Sequence, residues 1–251
     1  MNLPKLFVCA LSVVLPATAF GQQAPSGPVN PGFAAFAYYF GGVAKASEGD
    51  LNGAIAQFNR LIQLNPKDEI AYYNRGLLEA NKGDFDIAIA DFNHAIQLSP
   101  TFARAYNDRG SVKAAKSDID GAIADFNYAI QLSPQFVPAY INLGSAKANT
   151  ADLDGAIADF NHAVRLDPDS VQALEDLGSA KARKGDFEGA IADYNQAIQL
   201  DPNDFGAFEM RALTKQLKGD FEGALGDLVL LDELAPPGES QDYPHLYTWL
   251  A

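Results

Sequence analysis

Apolar residues in the middle of the chain follow the helical period. Ile123, Phe126 and Ile130 stand at i, i+3 and i+7, and Tyr106, Gly110 and Ala114 at i, i+4 and i+8, so each set falls on one face of a helix. The two patterns together predict a helical hairpin, and the hairpin recurs. Pro66, Pro100, Pro134, Pro168, Pro202 and Pro236 are 34 residues apart, a period that belongs to repeat architectures. Sixteen residues before these prolines stand Asp50, Asp84, Asp118, Asp152, Asp186 and Asp220. Four residues after each Asp comes Ala54, Ala88, Ala122, Ala156, Ala190 or Ala224. Gly49, Gly83, Gly185 and Gly219 precede four of the aspartates. The Gly allows a left-handed helix end, the Asp accepts N–H bonds at the next helix start, and the Pro cannot continue the helix it follows. The Ala is small where the two helices of a hairpin approach closely. One hairpin cannot bury its apolar face alone, so the stack is the folding unit.

These residues resemble the tetratricopeptide repeat, whose pattern runs Trp-x2-Leu-Gly-x2-Tyr, then Ala-x3-Phe, then Pro. Tyr72, Gly76, Ala88, Phe92, Ala95 and Pro100 carry it in one unit, and Tyr106, Gly110, Ala122, Phe126, Ala129 and Pro134 in the next. Tyr140, Leu143, Gly144, Ala156, Phe160, Ala163 and Pro168 follow, then Leu174, Leu177, Gly178, Ala190, Tyr194, Ala197 and Pro202. The first unit departs at Leu61 and the last at Ala212, Leu228 and Leu231, as expected of capping repeats that must satisfy an exposed face. The resemblance implies an all-α fold, a right-handed α-solenoid superhelix of stacked helix-turn-helix hairpins, with six repeats over residues 35–238. Residues 239–251 are expected to form a C-terminal capping helix that lays Leu246, Trp249 and Leu250 on the last hairpin.

Ahead of the repeats, Lys5 precedes an apolar run from Leu6 to Leu15, then Pro16 and Ala17-Thr18-Ala19. This is the order of a secretory signal peptide, expected over residues 1–19 with cleavage after Ala19. The run is shorter than the roughly 20 apolar residues that span a bilayer, so no stable membrane insertion is expected after cleavage. Cleavage removes Cys9, the only cysteine, which suits an oxidising compartment; the expected location is secreted or periplasmic. Residues 20–34, rich in Gly, Pro and Gln, are expected to form a flexible linker.

Composition narrows the chemistry. A net charge of −14 opposes nucleic acid and anionic lipid, because affinity for phosphates comes from Lys and Arg. With one cysteine and three histidines, His94, His162 and His245, neither a disulfide framework nor a Cys-rich zinc site can be assembled. His94 and His162 are expected at the surface. Glu48, Asp50, Asn52 and Gly53, and in part Asp152, Asp154 and Gly155, echo a calcium loop, but Asn59 and Asn161 stand where its closing Glu belongs. Caps explain these turns without an ion. No nucleophile, phosphate-loop or zinc-protease motif is present; the expectation is no enzyme, no metal and no cofactor.

The resemblance also implies that the first helix of each hairpin lines a concave groove for a protein or peptide partner. Groove candidates are Tyr73, Asn74, Leu77 and Asn81; Arg104, Asn107, Asp108 and Ser111; Asn142, Ser145 and Asn149; and Glu175, Asp176, Ser179 and Arg183. A ladder of Asn74, Asn107, Asn142 and Asn149 would pair with an extended peptide's main chain; a solvated polar face is the other reading. Phe36, Tyr39 and Phe40 are either an end cap or part of the site. Members of the family that grip chaperone C-termini use paired Lys and Asn, whereas here the equivalent places hold Tyr39 and Val43, Tyr73 and Leu77, or Asn107 and Ser111. The expected role is a scaffold for a polypeptide partner, with self-association into an envelope assembly as the alternative and an enzyme or a small-ligand or calcium-binding module as the third reading.

Overall fold

The computed structural model describes residues 31–234 and divides the chain into two compact units, Met1–Leu132 and Ser133–Ala251. The first contains α1 (Pro31–Ser47), α2 (Leu51–Leu64), α3 (Glu69–Lys82), α4 (Phe85–Leu98), α5 (Ala103–Ala115) and α6 (Ile119–Leu132). The second contains α7 (Val137–Asn149), α8 (Leu153–Leu166), α9 (Val171–Lys184), α10 (Phe187–Leu200), α11 (Phe205–Lys218) and α12 (Phe221–Leu234). In each unit the helices pair as hairpins, α1 with α2 through α11 with α12, and the second helix of one hairpin packs on the first of the next. The signal peptide expected at 1–19 and the capping helix expected at 239–251 lie outside the described residues. The expected linker extends too far: residues 31–34 are already helical, because Pro31 brings a helical φ to a first turn whose N–H groups have no partner within the helix.

The turns form as their residues dictate. Asp50, Asp118, Asp152, Asp186 and Asp220 each accept the N–H of the Gly three residues on, at 2.8–3.0 Å. Asp84 is the exception and makes no side-chain cap; Lys82 Nζ holds its carboxylate at 3.0 Å. Gly83 ends α3 at φ +86°, in the left-handed region that favours glycine. Ser117 and Ala151 take the same place with φ +67° and +65°.

Each hairpin closes on a small residue facing a large one. The invariant alanines Ala88, Ala122, Ala156 and Ala190 are fully buried. Gly144 in α7 lies so close to Phe160 in α8 that a Cβ there would stand 2.7 Å from Cε1 of the ring. In α11 the corresponding residue is Ala212, and Leu228 of α12 replaces the ring and makes the room. This corrects the reading of the end repeats: Leu61, Ala212, Leu228 and Leu231 are all buried, so these departures repack hairpin interiors and do not solvate an exposed face.

Candidate functional site

The expected groove residues lie on the first helices, and the structure sorts them. In the first unit Tyr73 of α3 donates its hydroxyl to Asp108 Oδ2 of α5 at 2.7 Å, and Asn107 Nδ2 donates to Asp108 Oδ1 at 3.0 Å. The Tyr73 ring packs between Phe92 and Phe102. Burial pushes the Asp108 carboxyl above the usual range, against the pull of these two hydrogen bonds. Ser111 Oγ donates to the Asn107 carbonyl. Asn74 Nδ2 donates back to Ile70 O at 2.8 Å and, with Leu77, edges a small crevice formed by Val43, Ala46, Phe58 and Leu78. Asn81 and Arg104 are exposed.

The asparagine ladder therefore does not form as expected. Asn107 is only 4% exposed and the Asn74 side chain donates to a carbonyl of its own helix, whereas Asn142 is half-buried and Asn149 exposed. The aromatics divide as well. Tyr39 packs edge-on against Phe58 in the core, while the tilted rings of Phe36 and Phe40 meet with centroids 4.3 Å apart on the surface.

In the second unit the same face is acidic. Burial first, then the Asp204 and Asp176 carboxylates, push half-buried Glu175 up to about 7. Burial pushes Asp176 up to about 6, opposed by Gln172 Nε2 donating at 3.0 Å. Ser145 and Ser179 are half-buried beside them in sequence register, and exposed Arg183 donates from Nη2 to the Ala148 carbonyl at the end of α7, at 2.8 Å. Among the described residues no group of three His, Cys, Asp or Glu side chains could hold a metal ion, and no helix is long and apolar enough to cross a membrane. Asp50 of the calcium-like turn is occupied by Gly53 N–H and by Lys45 Nζ at 2.8 Å. His94 is exposed and stacks on Tyr72; His162 is half-buried, stacks on Tyr140 and meets Arg165 through Nδ1.

Comparison with known proteins agrees with this architecture. Sequence models of the tetratricopeptide repeat match residues 42–83, 70–102 and 141–205. The chain belongs to the tetratricopeptide-repeat family. Among solved structures it is similar to PilW, a type IV pilus biogenesis factor, at 18% identity and a TM-score of 0.75 over 86% of this chain and 98% of that one. It is similar to PilF of Pseudomonas aeruginosa at 16% identity and 0.73, over 87% and 99%. YrrB, described as a TPR protein with an unusual peptide-binding site, matches at 23% identity and 0.61, over 77% and 97%. These likenesses establish the fold. No curated protein sequence gives a significant match. Tetratricopeptide repeats are protein-interaction scaffolds, and that is the general class of this chain.

Beneath the groove face of this tetratricopeptide-repeat chain runs a recurring bridge that sequence reasoning missed. Arg75 of α3 reaches Asp91 of α4 through Nε and Nη2, and Asn59 of α2 through Nη1. Arg109 does the same with Asp125 and Asn93, and Arg211 with Asp227 and Asn195. One guanidinium thus ties two consecutive hairpins. Where Leu177 replaces the Arg, Lys181 holds Asp193 at 2.6 Å and Asn161 turns back to Ile157 O of its own helix. The signal was present as an Asn, Arg, Asp series at intervals of 16 residues.

Proposed function

We propose that this chain is an exported scaffold that holds a segment of a polypeptide partner along the exposed face of its first helices. The observation that carries this reading is the face of α9, where Glu175 and Asp176 sit half-buried next to Ser179. A carboxylate withdrawn from water is costly unless a cation or donor meets it, so a partner segment bearing Lys or Arg gains most there. The order of Lys5, the apolar run Leu6 to Leu15 and Ala17-Thr18-Ala19, which matches a secretory leader, favours action in the periplasm or another exported space. Exposed Phe33 and Phe36 on α1 favour self-association as the second reading.

The test is affinity capture from the exported fraction with the full chain, beside a Glu175→Gln, Asp176→Asn variant. The reading expects a specific polypeptide that the wild type retains and the variant loses, with the circular dichroism of the variant unchanged. Equal capture by both proteins, or none by either, overturns it.

A further inference from the structure

The two groove carboxylates of α9 lack the donors that the chain supplies to their counterpart in α5. By the 34-residue register Asp176 stands at the place of Asp108. Asp108 accepts from Tyr73 and Asn107 and has the Arg104 guanidinium in its field, one turn back on the same helix. For Asp176 the place of Tyr73 falls on Ile141, that of Asn107 on Glu175 and that of Arg104 on Gln172. One amide donor is left, Gln172 Nε2 on Oδ2 at 3.0 Å. Glu175 has no donor, and the groups that act on its carboxyl, Asp204 and Asp176, are themselves acidic. The cations of α9 are committed elsewhere: Lys181 to Asp193, Arg183 to the Ala148 carbonyl and Lys184 to Asp154. The next first helix leaves the place open. Gly206 of α11 again stands where α5 has Arg104, and a Cβ there would lie 2.9 Å from Glu175 Oε1. Beside the pair, Tyr194 takes the place of Phe92 and adds a hydroxyl that is fully buried near Thr214 and has no hydrogen-bond partner. A buried polar group without a partner is rare in a native fold, and here it joins two carboxylates that also lack donors.

We propose that Glu175 and Asp176, with Gly206 beside them, form a subsite for one arginine side chain of the polypeptide held on this face. This rests on the scaffold reading above and narrows it from a basic segment to a single guanidinium. Gln172 occupies one oxygen of Asp176, so its other oxygen and both of Glu175 remain to accept. A guanidinium brings its N–H donors in a planar fork and takes a carboxylate side-on, as Arg109 takes Asp125 in this chain. An ammonium is a point charge with a tighter hydration shell, and it gives up more on entering a half-buried site. The incoming arginine restores to α9 what Arg104 provides in α5. Gly206 is a positioning residue: a side chain there would push the Glu175 carboxyl away from the subsite.

The probe is acetyl-Ala-Ala-Arg-Ala-Ala-amide, titrated into the isotopically labelled full chain and followed through the amide resonances of α9 and α11. The same peptide with lysine, or with citrulline as the neutral isostere of arginine, is the comparison. The arginine peptide is expected to shift these resonances saturably, the lysine peptide to bind about fivefold more weakly, and the citrulline peptide to leave them unmoved. Glu175→Gln and, separately, Gly206→Ala should each weaken the arginine peptide about tenfold. Gly206→Ala keeps both carboxylates and the net charge, so its effect separates a shaped subsite from a merely acidic face. Equal binding of the arginine and lysine peptides, unchanged affinity in a folded Gly206→Ala protein, or no saturable shift in α9 and α11 overturns the proposal. Affinity capture from the exported fraction reads the scaffold separately. A partner held equally by wild type and Gly206→Ala overturns the subsite and keeps the scaffold; selective arginine-peptide binding with no captured partner supports the subsite and overturns the scaffold.

Discussion

Arg109 and Asp125 meet side-on, Nε to Oδ2 at 2.8 Å and Nη2 to Oδ1 at 2.5 Å, with the carboxylate all but removed from solvent. Lys113 Nζ adds a second cation to the same carboxylate at 2.8 Å. In the preceding repeat Glu79 stands at the place of Lys113, so Arg75 is the cation that holds Asp91. Arg75→Ala should therefore cost about 3 kcal/mol, because a buried carboxylate is left unpaired. Arg109→Ala should cost about 1 kcal/mol less, since a charge-assisted bond to Lys113 survives. Urea unfolding of the two variants checks the order.

Helix ends give a prediction of opposite sign. Ala151 adopts φ +65° where four other repeats place Gly. Ala151→Gly should stabilise the protein by about 1 kcal/mol, the usual cost of a Cβ in the left-handed region. Gly83→Ala should destabilise it by a similar amount. Thermal unfolding reads both.

Close packing of the hairpin predicts a rescue. Gly144→Ala should cost about 2 kcal/mol through the clash with Phe160. Adding Phe160→Leu, which reproduces the Ala212 and Leu228 pair of the last hairpin, should cost less than the two single changes summed. A double-mutant cycle measures the difference.

Much of the fold was legible because its signals are local. Pro100, Asp118 and Gly83 each fix a turn through their own backbone or side chain, and their recurrence fixes the stack. The Arg75 bridge was not legible, because it depends on three helices meeting and the contact spans 16 residues in each direction. The start of α1 was obscured by a Gly- and Pro-rich composition shared by linkers and helix first turns. The site was legible only as a face. Asn107 carries a groove position, yet Tyr73 on the preceding first helix draws its neighbour Asp108 inward and leaves Asn107 buried.

Stability should also depend on pH through Glu175. Burial pushes its carboxyl from the usual 4.5 up to about 7, so its favourable contribution is complete below about pH 4.5 and is lost as the pH rises through 7. Asp176 acts in the same direction with a value near 6. Glu175→Gln should raise Tm at pH 8 and leave it unchanged at pH 4. Calorimetry at the two values checks the sign.

Photo-crosslinking in cells bears most directly on the scaffold reading. A photoreactive residue placed at Ser145 or Ser179, on the first helices, should capture a specific polypeptide partner, whereas one at the exposed Ala158 or Ala192 of the second helices should not. Capture of the same partner only from Ala158 and Ala192, or of none from the first helices, would contradict it.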